Sequence, residues 1–331
     1  MKFDVPESLQ LREQTIRTGL ASAAQAGGRT GEVAQALENI LLPHLIRETI
    51  DVLQPLALLP RLARGDVTPE MAEVLPQIDK LENDLHRLHI EHSAILSLIK
   101  QLVAAAHEEG RLHHVRFAQR LLFRAWLDES IFYPTAILIG RYLKLRFAGA
   151  GDRPVEIKTA PSRVSAKFEL PESLRLSRVE LSAALQEATR AGGKTGPAAE
   201  LLVQIHEPHR WNEDQHLLHT LRLLAPIAAS EIDPTMLEGL PDLESLETNE
   251  TNGSDLDREH AAIVEAAAKL LKVAQTENAN GVADFAERLL LRVRMDQEVF
   301  YPAAILVRDY LRLLLQLSPP PTHSAIESGV S

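Results

Sequence analysis

Two short patterns in this chain put a histidine and a carboxylate where they can act on one atom. Pro43-His44 is followed four residues later by Glu48, and Pro208-His209 by Glu213. On a helix, residues four apart share a face one turn apart, so an imidazole nitrogen and a carboxylate oxygen converge. Such a pair either ligates a divalent cation or satisfies a core histidine with a neighbouring acid, and the spacing leaves both readings open. A second pattern, Glu91-His92 and Glu259-His260, adds a further histidine; His92 is in line with Leu85, Leu88, Ile95 and Ile99, a stripe expected to face the core. A third, Arg124 with Asp128 and Arg292 with Asp296, shares a stripe in the first instance with Phe117, Leu121 and Ile131. His44, Glu48 and His92, and likewise His209, Glu213 and His260, match the ligand types of a mononuclear non-haem iron site, with Glu129 a fourth candidate in the first set.

These residues come in pairs because the chain is written twice. KFDVPESLQL at Lys2–Leu11 returns as KFELPESLRL at Lys167–Leu176, GGRTG at Gly27–Gly31 as GGKTG at Gly192–Gly196, and FYPTAIL at Phe132–Leu138 as FYPAAIL at Phe300–Leu306. The offset is 165 residues for the first motif and 168 for the last.

The elements that must position these groups are helices. Apolar residues at Leu9, Leu11, Ile16, Leu20 and Ala24 trace a loose stripe that stops at Gly27-Gly28. Thr30 is read as the N-cap of a long second helix that Pro43, Pro55 and Pro60 should bend or interrupt. A third helix runs from Thr68 to Glu109 with a break near Pro76, and a fourth from about Leu112 to Phe147. The fold class is therefore all-α: two tandem antiparallel up-down four-helix bundles, residues 1–147 and 167–317. Residues 148–166 read as a linker that lets the bundles move or pack side by side, 318–331 as a disordered tail, and the polar run LESLETNETNGSDLD as a loop.

The formal charge of −11 and the lack of any window both basic and aromatic argue against a nucleic-acid partner. With no cysteine, disulfides, thiolate zinc sites and cysteine nucleophiles are excluded, so any metal needs His and carboxylate ligands. The N-terminus does not read as a secretory signal and no apolar run reaches membrane-span length, so the expectation is a cytoplasmic protein. No Ser nucleophile elbow is present, and GGRTG and GGKTG fit no phosphate-loop pattern and read as helix-helix turns.

HxxxE on the second helix, EH on the third and FYP on the fourth, in that order, resemble the hemerythrin-like (HHE cation-binding) family over about 150 residues of each half. The resemblance implies a four-helix bundle around a non-haem di-iron centre of five histidines and two bridging carboxylates, used for oxygen binding, redox sensing or iron handling. It matches His44, Glu48, His92 and Glu129 in the first copy and His209, Glu213 and His260 in the second. The helix-one histidine falls on Gln14 and Val179, the helix-four histidine on Arg124 and Arg292, and the second helix-four carboxylate of the second copy on Gln297. Both copies thus put arginine, beside Asp128 or Asp296, where the metal would have neutralised the carboxylates. The expected function is a binding or regulatory module with degenerate sites and no cofactor. The alternative is iron at the reduced His/Glu site, binding or sensing a small diatomic ligand; a protein partner is open. His216 and His219 read as a solvated face, and His86, His89, His113 and His114 as surface residues. The Tyr133 and Tyr301 hydroxyls should reach a partner as FYP packs the fourth helix on the first.

Overall fold

The computed structural model describes residues 3–148, 172–232, 236, 240 and 255–317, and these are helices and turns with no strand among them. The first copy consists of α1 (Glu7–Ala24), α2 (Gly28–Glu48), the short α3 (Gln54–Leu56) and α4 (Leu59–Leu62), α5 (Leu75–Glu108), α6 (Leu112–Leu127) and α7 (Tyr133–Phe147). The second follows with α8 (Glu172–Thr189), α9 (Thr195–Leu221), α10 (Leu224–Ala228), α11 (Asp255–Thr276), α12 (Asn280–Met295) and α13 (Tyr301–Leu317). The tail, the polar run up to residue 254 and the linker from residue 149 onward lie outside the described residues. No described helix is long and apolar enough to cross a membrane.

The helical period explains the packing. On α5, Ile78, Leu81, Leu88, Ile95, Ile99 and Leu102 are buried with His92 among them, and on α6 Phe117, Leu121 and Arg124 share the inward stripe. α1 packs on α2, α2 on α5 and α5 on α6; α8, α9, α11 and α12 repeat the order. Each set closes its own apolar cluster, one around Leu20, Leu37, Ile99 and Phe117, the other around Leu202, Ile263, Leu270 and Phe285. A third cluster belongs to both copies: α7 lies against α10 and α13, Tyr142 and Tyr310 are buried in it, and the Phe132 and Phe300 rings stand 6.4 Å apart. Of the two arrangements the linker left open, the halves take the packed one, sharing a core.

The prolines act differently from the expectation. α2 runs through Pro43 to Glu48 without a break, and α9 likewise contains Pro208. Instead, a π-helical turn stands two residues before Pro55, Pro134 and Pro302, at Thr49–Leu53, Asp128–Phe132 and Asp296–Phe300. A proline inside a helix has no N–H for the carbonyl four residues back and collides with it; one extra residue in the preceding turn relieves both faults. The second copy supplies the control: Pro55 is replaced by Thr220, and α9 continues as α-helix to Leu221.

Thr30 is not the N-cap. Gly27 holds that position with φ 70°, and Thr30 sits in the first turn, fully buried. The free N–H groups of α2 are met by Glu109, which accepts from the Arg29 amide at 2.7 Å and from the Thr30 hydroxyl at 2.7 Å. Glu277 does the same for Lys194 and Thr195 at 2.8 Å and 2.6 Å. Gly28 and Gly193 take φ 61° and 66°, a conformation strained for any residue with a Cβ, which is why the motif repeats glycine here. Each buried threonine hydroxyl then contributes about 1 kcal/mol through this bond. Thr30→Val and Thr195→Val are each expected to lower unfolding free energy by about that amount in urea titration, with an unchanged m-value.

Candidate metal centre

α2, α5 and the junction of α6 with α7 bring four side chains to one point in the first copy. His44 and His92 face each other with their Nε2 atoms 2.9 Å apart. Glu48 Oε1 lies 3.2 Å from the first and 3.6 Å from the second. Tyr133 completes the group: its hydroxyl donates to Glu48 Oε1 at 2.5 Å and stands 2.9 Å from His92 Nε2. All four are at least 96% buried, with Glu48 the most accessible at 4%.

The outer nitrogens decide the chemistry. His44 Nδ1 is 3.1 Å from Glu91 Oε2, and His92 Nδ1 is 3.0 Å from Glu129 Oε1. An ionised carboxylate only accepts, so each Nδ1 carries the hydrogen, and in neutral rings both Nε2 atoms present lone pairs to each other. Two lone pairs and a carboxylate oxygen share a single hydroxyl proton from Tyr133. The cluster therefore calls for a cation, either a proton on one imidazole or a metal ion. Ligand atoms about 2.1 Å from a dication stand roughly 3.0 Å apart in an octahedron and 3.4 Å in a tetrahedron. The observed 2.9, 3.2 and 3.6 Å bracket those edges. Carboxylates on the outer nitrogens also fix the ring orientation that metal ligation needs.

The other oxygen of Glu48 has a different partner. Arg124 Nη2 donates to Oε2 at 2.8 Å, its Nε pairs with Asp128 at 3.1 Å, and Arg12 from α1 reaches Asp128 at 3.4 Å. Burial opposes ionisation of Glu48, yet Arg124 and the hydrogen bonds from His44 and His92 hold its carboxyl well below the usual range. Burial also opposes a charge on His92, but Glu129 and Glu48 raise it to about 9. Burial pushes Asp128 up against the pull of Arg124, and lowers Arg12 to about 10 despite Asp128.

The chain matches no family model, no curated protein and no solved structure.

The second copy repeats the inner group. His209 and His260 Nε2 are 3.1 Å apart, Glu213 Oε1 is 3.5 Å from His209, and Tyr301 donates to Glu213 at 3.2 Å and lies 3.0 Å from His260. Glu259 holds His209 Nδ1 at 2.8 Å. The surroundings differ. Arg292 Nε turns to both oxygens of Asp296 at 2.9 and 3.0 Å, and Gln297, in place of Glu129, is exposed. Burial opposes the Glu213 charge, but His209 and Arg292 bring it to about 2, whereas burial lifts Asp296 to about 7 even beside Arg292. His206, where the first copy has Leu41, is half-buried one turn before His209 and is lowered by burial to about 4.

The structure thus gathers His44, Glu48 and His92, and His209, Glu213 and His260, as the spacing suggested. Glu129 is corrected from a candidate fourth ligand to the partner of an outer nitrogen. The fourth inner group is Tyr133 or Tyr301, whose sequence signal was the repeated FYP motif; the hydroxyl points into the site rather than to helix-helix packing. Glu91, Glu259 and Arg12 carry orienting or charge-balancing roles that only the fold reveals. His86, His89 and His113 are exposed, but His114 is 4% accessible and packs on His113, so it is not a surface residue. His219 is half-buried and contacts Arg222, and the side chain of His216 lies outside the described residues.

The raised value for His92 has a signed consequence. With the chelated, dication-free protein, this histidine holds its proton more tightly folded than unfolded. Its contribution is complete below about pH 6.5 and lost as pH rises through about 9. Urea unfolding in EDTA is expected to show stability falling across that window, with the fall removed in His92→Gln; an identical pH profile for that variant would refute the assignment.

Proposed function

We propose that the chain is a duplicated hemerythrin-like protein in which each copy keeps one half of a two-metal centre and fills the other half with arginine, making it a dication-binding regulatory module. One observation carries this reading: the Nε2 atoms of His44 and His92 face each other at 2.9 Å while both outer nitrogens are committed to carboxylates. Glu48 matches the family's bridging carboxylate, and here it bridges a histidine pair on one oxygen and a guanidinium on the other. Arg124 supplies the positive charge that a second ion would have brought, through a hydrogen bond to Glu48 and an ion pair with Asp128.

A full di-iron set does not fit the residues present. The helix-one position falls on Gln14 and Val179, both exposed, and the helix-four position is arginine in both copies. A single ion fits better: two imidazoles and one carboxylate suit Fe2+ or Zn2+, held by His44, His92 and Glu48 or by His209, His260 and Glu213. A redox-active ion there would supply open coordination positions for a small diatomic ligand. The chain's own groups orient the imidazoles, keep Glu48 ionised and place the Tyr133 hydroxyl beside the ligand atoms.

A second reading takes the proton itself as the cation. It is favoured by the upward shift of His92 to about 9 and by Arg124 already satisfying half of Glu48. Metal analysis after purification with iron, zinc or cobalt supplied separates the two. The expected result is one dication per copy, lost from the first copy in His44→Ala and weakened about 10- to 100-fold in Glu91→Gln. Two ions per copy with an oxo-bridge absorption band would overturn the arginine substitution, and no uptake at all would leave the proton-bound form.

A further inference from the structure

The seam between the copies is not fully packed. There α1 and α6 face α8 and α12 across a cavity of about 410 Å³. Its walls are mainly hydrocarbon, with Phe123, Leu127, Leu181, Leu291 and Met295 among them. Small-molecule sites of this kind span roughly 300–1,000 Å³, apolar with a few placed polar groups.

The charged groups on the wall are not equivalent. Arg120 is paired with Asp284 at 2.7 Å, and Arg288 with Glu180 at 2.5 Å and Asp284 at 3.3 Å. Arg124 and Arg292 are each within 3.1 Å of a carboxylate of their own centre. Arg12 is the exception. Its contacts to Asp128 at 3.4 Å and to the Arg124 carbonyl at 3.3 Å both run through Nη2, and Asp128 already serves Arg124. The Arg12 guanidinium lies 4.9 Å over the Phe132 ring, and of its five N–H donors those on Nε and Nη1 meet no carboxylate or carbonyl among the described residues, on the wall of an apolar cavity. The same position in the second copy is Ser177, and the neighbouring Arg178 lies with Glu213 and Asp296 of its own centre instead of on this cavity wall.

We propose that this cavity binds one amphiphilic monocarboxylate per chain, a free fatty acid with its carboxylate on the Arg12 guanidinium and its chain between α6 and α12. A guanidinium fork matches a carboxylate in two parallel hydrogen bonds, and the hydrocarbon walls take the tail. Dodecanoate, one carboxylate on a single hydrocarbon chain, is the probe for this pairing of guanidinium and apolar wall. The proposal does not rest on dication uptake; because Arg12 also pairs with Asp128, metal content is measured in the same samples, and Leu291→Trp tests the cavity without touching that pair.

Calorimetric titration with dodecanoate below its micelle concentration tests the proposal. One molecule is expected to bind per chain, dodecanol at least tenfold more weakly, and dodecylammonium not at all. Arg12→Gln should weaken dodecanoate at least tenfold without changing dodecanol. Should that variant fail to fold, Leu291→Trp, which fills the cavity from a half-buried position, should abolish binding of both. Equal affinity for acid and alcohol, several molecules per chain, unchanged binding in Leu291→Trp or no binding of dodecanoate would each overturn it.

Discussion

Two imidazole nitrogens that face each other at about 3 Å set the terms for the rest of each half. Such a contact repels unless a positive charge sits at it, and the surrounding groups are arranged to keep that charge in demand. Glu91 and Glu129 take the outer hydrogens, so tautomerism cannot relieve the contact. Glu48 stays ionised in a buried position because Arg124 binds its second oxygen. Removing either partner would leave a buried charge uncompensated, a larger penalty than the pair's own worth. The aligned helices, the caps and the apolar clusters hold these few atoms in register.

The two copies answer the same constraint unequally. In the first, Arg124 spans Glu48 and Asp128 with Arg12 as a second guanidinium; in the second, Arg292 turns to Asp296 and over the Phe300 ring, Arg178 is the second guanidinium, and Gln297 replaces Glu129. The centres therefore differ in charge although their inner residues are identical. Because α7 and α13 share one core and Phe132 meets Phe300, the halves form a continuous packed unit instead of beads on a linker.

Much of this was legible in the sequence because the chain repeats itself. His44 with Glu48 and Glu91-His92 stood out by recurring at helical spacing, and the all-α class followed from composition and period. What escaped was long-range. Nothing local links Thr30 to Glu109, so the hydroxyl was read as a cap for its own helix when a carboxylate from the end of α5 does that work for both copies. Arg12 aligns with Ser177, and the arginine near the second centre, Arg178, is one residue out of register, so the repeat gave no signal for either. Glu129 was placed on the metal side because a motif gives order along the chain but not which nitrogen of a histidine a carboxylate meets. Tyr133 was visible as a repeated residue, yet its direction depends on a turn that periodicity at 3.6 residues does not anticipate.

That turn has a geometric consequence. Arg124 and Tyr133 are nine residues apart, and at about 100° per residue a straight α-helix would point them in opposite directions. The π turn at Asp128–Phe132 absorbs one residue, which brings the remaining angle down to roughly 80°. Both side chains then land on the two oxygens of the same carboxylate, Glu48. The π turn acts as a phase corrector: the extra residue it takes up ahead of Pro134 rotates everything after it by about one residue's worth of arc. The π turn ahead of Pro302 does so again in the second copy. A tyrosine hydroxyl has thus been brought to the histidine–carboxylate cluster by a helix whose repeat alone would have left it facing away.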